Sequence, residues 1–170
     1  MKKIKNIILL LLVMLTINTV AAQERKPASP PATATGIING ANITIKYSSP
    51  SVKGREIWGG LVPYNKIWRA GANNATTFST NIAIMVEGKE LPAGTYAFFV
   101  TPQEDGTATV IFNKEAEQWG AYKYKQAEDQ LRVKVNTKKS NTMNERLVYN
   151  VNKNNVTLSW ENWDIPIMIK

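Results

Sequence analysis

The sequence predicts an all-β domain: an antiparallel β-sandwich, jelly-roll-like or a partly open barrel, of roughly nine strands with one long loop rich in Gly, Trp and Arg. Three observations carry this expectation. Apolar and polar residues alternate with period two over many short runs. Turn-forming residues recur between those runs at intervals of about 8 to 15 residues, too short for the crossover helices of a parallel sheet. Helical periodicity is nearly absent, since only Lys123 to Gln130 has suitable residues, and it is too short for more than a turn or two.

Taken in order, Ile43, Ile45 and Tyr47 alternate with Asn42, Thr44 and Lys46 as a strand with one buried face. Ala75 to Thr80 and Ala83 to Glu87 flank Asn81, and Leu91-Pro92-Ala93-Gly94 leads into the aromatic and β-branched run Thr95 to Thr101. Pro102 to Gly106 is a turn, and Thr107 to Asn113 is its return strand, which makes this the clearest hairpin. Leu131 to Asn136, Arg146 to Val151, Val156 to Glu161 and Ile165 to Ile169 complete the set, with Asn152 to Asn155 as a polar turn and Pro166 pointing to an edge strand.

Residues 1–22 read as a signal peptide. Met1 to Asn6 carry three lysines, Ile7 to Ile17 is almost wholly apolar, and Val20-Ala21-Ala22 offers small residues for cleavage. About 11 apolar residues span roughly 16 Å as a helix against about 30 Å of hydrocarbon, so the segment is short for a membrane anchor. Cleavage predicts a chain with no transmembrane span, located in the periplasm or outside the cell. Residues 23–35, QERKPASPPATAT, read as a Pro-rich linker because they offer little apolar area to offset their ordering entropy. The single domain is then residues 36–170.

The chain contains no histidine and no cysteine. That excludes Ser-His-Asp and Cys-His catalysis, His- or Cys-built zinc sites and disulfides. Glu104 and Asp105, Glu115 and Glu117, and Glu161 and Asp164 sit in separate turns or near the C-terminus rather than as a clustered pair, which sets an enzyme behind other readings. No D-x-D-x-D-G calcium loop occurs, and no cofactor or metal is expected. The formal charge of +8 falls to +5 without the three leader lysines. Lys123, Lys125, Arg132, Lys134, Lys138 and Lys139 are interrupted by Glu128 and Asp129, so they read as a solvated face rather than a nucleic-acid patch.

The segment Ser48 to Thr76 shows neither period. Its glycines permit tight conformations, Trp58, Tyr64 and Trp68 supply large surfaces with polar tips, and Arg55 and Arg69 supply donor forks for carboxylates or phosphates. Written S-x-P-S-V-K-G-R-x-I-W-G-x-L-V-P-Y-x-x-x-W-R-x-G-A-N-x-A-T, it resembles the hallmark of a family of secreted bacterial domains of unknown function. Leu91 to Tyr96 and the later N-K-x-x-x-Q-W-G-A-Y of Asn113 to Tyr122 fit the same family. The resemblance implies a fold and an address but no activity.

The candidate ligand-binding residues are Arg55, Trp58, Tyr64, Trp68, Arg69, Asn73, Thr76, Trp119 and Tyr122, with no catalytic residue assigned. The expected function is non-catalytic binding of a carbohydrate or other small polar or anionic ligand, with the two aromatic segments forming one cleft if they converge. The alternative is a structural or protein-interaction domain of the cell envelope, in which the loop is a packed plug.

Overall fold

The computed structural model describes residues 27–170. The expected leader and the first part of the expected linker lie outside the described residues. Ten strands follow in order: β1 Pro31–Ile38, β2 Ala41–Ser48, β3 Thr76–Thr80, β4 Ile84–Val86, β5 Lys89–Leu91, β6 Gly94–Pro102, β7 Thr107–Asn113, β8 Asp129–Asn136, β9 Lys138–Val151 and β10 Asn155–Met168. A 3-10 turn, Gln126–Glu128, stands where the sequence allows a short helix.

All-β, antiparallel architecture is what the alternation predicts, with three differences of detail. Strand β1 begins at Pro31, so residues 31–35 belong to the sheet and not to a linker. Next to them, a Cβ on Gly36 would stand 2.6 Å from Cγ1 of Val151 in β9, so only glycine passes there without a shift. The Glu87-Gly88 turn is followed by a three-residue partner strand, β5. The two last expected strands are one hydrogen-bonded element, β10, which is sharply bent. A straight strand of this length would hold its ends about 45 Å apart, yet the Ile169 N–H donates to the Asn154 carbonyl at 2.9 Å. The bend is at Glu161, φ 52°, between two register shifts. Pro166 lies past the last β9 pairing, Asp164 with Lys138, where its missing N–H costs that ladder nothing.

Six strands form one sheet in the order β1-β2-β3-β6-β7-β8, open at both edges and not closed into a barrel. Facing it are the β9/β10 pair and the β4/β5 hairpin, which is joined to the end of β10 by reciprocal Met85 and Lys170 backbone bonds. Ile43, Phe78, Phe98, Val110, Phe112 and Val133 on the inner face share one core with Leu147, Tyr149, Leu158, Trp160 and Ile167 of the facing layer. The outer face carries a smaller cluster, Ala75, Ala97, Phe99 and Ile111, covered by Ile67, Ala121 and Tyr124.

The long loop after β2 closes one end between the layers. It leaves along β9, where the Val52 N–H donates to the Glu145 carbonyl and the Leu147 N–H to the Pro50 carbonyl. It returns along β6, where Trp68 and Val100 exchange both backbone hydrogen bonds at 2.9 Å. Inside it, Trp58 is stacked on Trp163 (4.8 Å between centroids) and edge-on to Trp68 (5.7 Å), and Trp68 is stacked on Trp160 (5.7 Å). The carbonyl of Ala70, a residue at φ 53°, accepts from the hydroxyls of Thr76 (2.9 Å) and Tyr149 (2.7 Å), which hold the return bend. Trp68→Ala is therefore expected to lower the unfolding free energy by about 3–5 kcal/mol, as for other large aromatic deletions in cores. Urea unfolding checks this: a large fall in midpoint at unchanged slope is the expected result.

Candidate functional site

The nine candidate residues divide into packed, pinned and open. Trp58 and Trp68 are 5% and 9% exposed, so neither offers a ring face to a ligand. Tyr64 is half-buried near Trp163, its ring packed against Gly59, where φ is 90° and a Cβ would stand 2.7 Å from the tyrosine ring. Arg55 points back into its own loop, donating from Nε to the Val52 carbonyl at 2.9 Å and from its fork to the Ser51 carbonyl. Asn73 donates to the Ser48 hydroxyl at 3.2 Å and the Ser29 carbonyl at 3.5 Å, and Thr76 is wholly buried. These six close and brace the sandwich. Trp119 and Tyr122 do not, being 61% and 86% exposed, and Arg69 is half-buried with no side-chain partner among the described residues.

The two aromatic segments do converge, but through their backbones. The Ala75 N–H donates to the Gln118 carbonyl at 2.9 Å and the Gly120 N–H to the Asn73 carbonyl at 3.1 Å, with Asn74 and Trp119 as bridge partners. The single aromatic cleft expected if they met does not form, because Trp58 and Trp68 face inward while Trp119 faces out. Instead the junction creates a groove of about 610 Å³ on the outer side of the sheet, between β2 and the segment Ala116 to Trp119. Lys46, Asn74, Thr77, Glu117, Gln118 and Trp119 line it. Lys46, Glu117 and Gln118 escaped sequence reasoning as site residues. Lys46 read only as the solvent side of a strand, and no short-range pattern shows that a segment 70 residues later lies over it.

The wall of the groove is held firmly. Gln118 is 7% exposed, and its Nε2 donates to the Glu115 carbonyl at 2.7 Å. Its Oε1 is occluded and unpartnered. Beyond Trp119, the Tyr124 hydroxyl donates to Asp129 Oδ2 at 2.6 Å, Arg132 bonds both groups at 2.7 Å, and Asn113 donates to Asp129 Oδ1 at 2.8 Å. Asp129 thus pairs with Arg132. Arg132 and Lys134 of the basic set are engaged with Asp129 and Asp105. Among the described residues no three acidic side chains gather as a metal site. No described helix is long and apolar enough to cross a membrane.

Burial, then the hydrogen bond to Asp129 and its charge, push the Tyr124 phenol up to about 12, against the opposing pull of Arg132. A folded-state value above the ordinary 10.0 means that the native state holds this proton more tightly than the unfolded chain does. The stability it contributes is fully present below pH 10 and is lost as pH rises through about 12. Tyr149, whose phenol burial also raises, adds to the same loss. Urea midpoints measured across that window should fall with pH in the wild type and fall less steeply in Tyr124→Phe.

No curated protein matches the chain, and no solved structure matches it. The family model for DUF2911, described as a protein of unknown function, matches residues 29–169. That span includes β1 and every residue of the groove, and the chain belongs to this family.

Proposed function

We propose that the domain is a non-catalytic binding module that takes a carbohydrate ring in the outer groove beside Trp119, while the Trp58 and Trp68 loop serves as a packed plug. The observation that carries this reading is the exposed indole of Trp119 on a segment whose backbone is tied on both sides of it to Asn73 and Ala75, just ahead of β3. A water-exposed aromatic face beside a concave lining of mixed polar and apolar residues suits a ring with one apolar face and hydroxyls at its rim. Lys46, Asn74, Thr77 and Glu117 supply donors and acceptors around it. A periplasmic or exterior address, the one expected from residues 1–22, would bring such a module to glycans.

A second reading is docking on a cell-envelope protein. It draws on Tyr122, which is more exposed than Trp119 and does not line the groove.

Thermal unfolding of the protein against a panel of oligosaccharides and peptidoglycan fragments tests the first reading. A ligand at about 100 times its dissociation constant adds about 2.7 kcal/mol, which raises the midpoint of a domain this size by several degrees. Trp119→Ala is expected to abolish that shift and to change the unliganded stability by no more than about 0.5 kcal/mol. A panel that leaves the midpoint unmoved would favour the protein-docking reading.

A further inference from the structure

Four arginines are described, and three have protein partners: Arg55 on loop carbonyls, Arg132 on Asp129 and Tyr124, and Arg146 on the Ser49 carbonyl. Arg69 differs. Among the described residues it makes no ion pair and no side-chain hydrogen bond, and its Nε is fully occluded without an acceptor. The residue as a whole is only half-buried, and its terminal amino groups are not among the occluded orphans. A guanidinium partly taken out of water and given no counter-charge lacks compensation that an anion would supply.

Arg69 does not itself line the groove, but its backbone stands next to residues that do. Trp68 pairs with Val100 and packs in the inner core, so strand alternation places Arg69, like Ile67, on the outer side with Phe99. The Arg69 carbonyl accepts from the Thr76 N–H at 3.2 Å, and the residues flanking Thr76, Ala75 and Thr77, both line the groove. Resting on the groove reading, we infer that Arg69 is an anion subsite at the groove's edge that binds a carboxylate carried by the ligand, so that the ligand is an acidic sugar such as a hexuronate. A planar carboxylate matches the two-pronged fork of a guanidinium. Lys46 adds positive charge within the groove, where Glu117 is the one carboxylate lining it. The excess of basic over acidic residues in the whole chain would draw acidic chains inward.

The test is a nitrogen-15 NMR titration of the protein with trigalacturonate, its fully methyl-esterified form and inorganic phosphate, following the Arg69 Nε–H and the Trp119 indole N–H. Trigalacturonate should move both signals and bind about tenfold more tightly than the ester. Arg69→Gln should erase that preference while leaving affinity for the ester, and Arg69→Lys should restore part of it. If acid and ester bind equally, or Arg69→Gln keeps the preference, the subsite is refuted and the groove reading survives. If no sugar moves the Trp119 signal, both fall. A response of Arg69 to phosphate but not to trigalacturonate would overturn the acidic-sugar class.

Discussion

The rest of the structure depends on the packing of Trp58, Trp68 and Trp160 between the two layers. A sandwich with an open end leaves apolar side chains facing water, and closure needs bulk that irregular backbone cannot supply. Indoles provide that bulk, and their edge-to-face and stacked contacts add to the burial itself. Because Trp68 also pairs through its backbone with Val100 of β6, the plug is tied to the main sheet. Because Trp160 belongs to β10, the same cluster joins both layers. The Trp160 indole N–H finds no acceptor within this cluster, while that of Trp58 reaches the Trp160 carbonyl at 3.3 Å. The shape of the plug has outweighed one hydrogen bond.

Closing that end has a consequence on the other side of the sheet. The return of the loop past Ala70 turns at Asn73, φ 58°, and delivers Asn74 and Ala75 to the start of β3, where the segment around Trp119 pairs with them. Tyr124, Asp129 and Arg132 then hold the far end of that segment to β8. A groove with one aromatic wall follows from these two attachments. The functional proposal therefore rests on the plug indirectly: the loop residues that look most like a binding site in the sequence are the ones that build its support.

Much of the fold was legible in the residues. The hairpin of β6 and β7 reads directly from alternation around the Pro102 to Gly106 turn, and β7 has the bounds expected of it. The first half of β1 was not legible, because Pro31 to Thr35, PATAT, has the composition of a linker and no apolar alternation. The unity of β10 was also hidden, since a bend at a residue with positive φ breaks the local period without breaking the hydrogen-bonded ladder. At the site, residue type identified Trp119 and Arg69 but could not separate them from Trp58 and Arg55. Exposure and partners are products of the tertiary fold, and an indole looks the same in sequence whether it faces a core or water.

The central claim is that Trp58, Trp68 and Trp160 form a buried cluster, with Trp163 packed on it and half-buried, while Trp119 stands open. Acrylamide quenching of tryptophan emission in the wild type and in Trp119→Phe tests it most directly. Removing Trp119 should remove the larger part of the readily quenched emission, with half-buried Trp163 supplying the remainder, and leave the emission of Trp58, Trp68 and Trp160 protected until the domain unfolds. If Trp119→Phe remains as quenchable as the wild type, the cluster is open to solvent and the account of plug and groove is wrong.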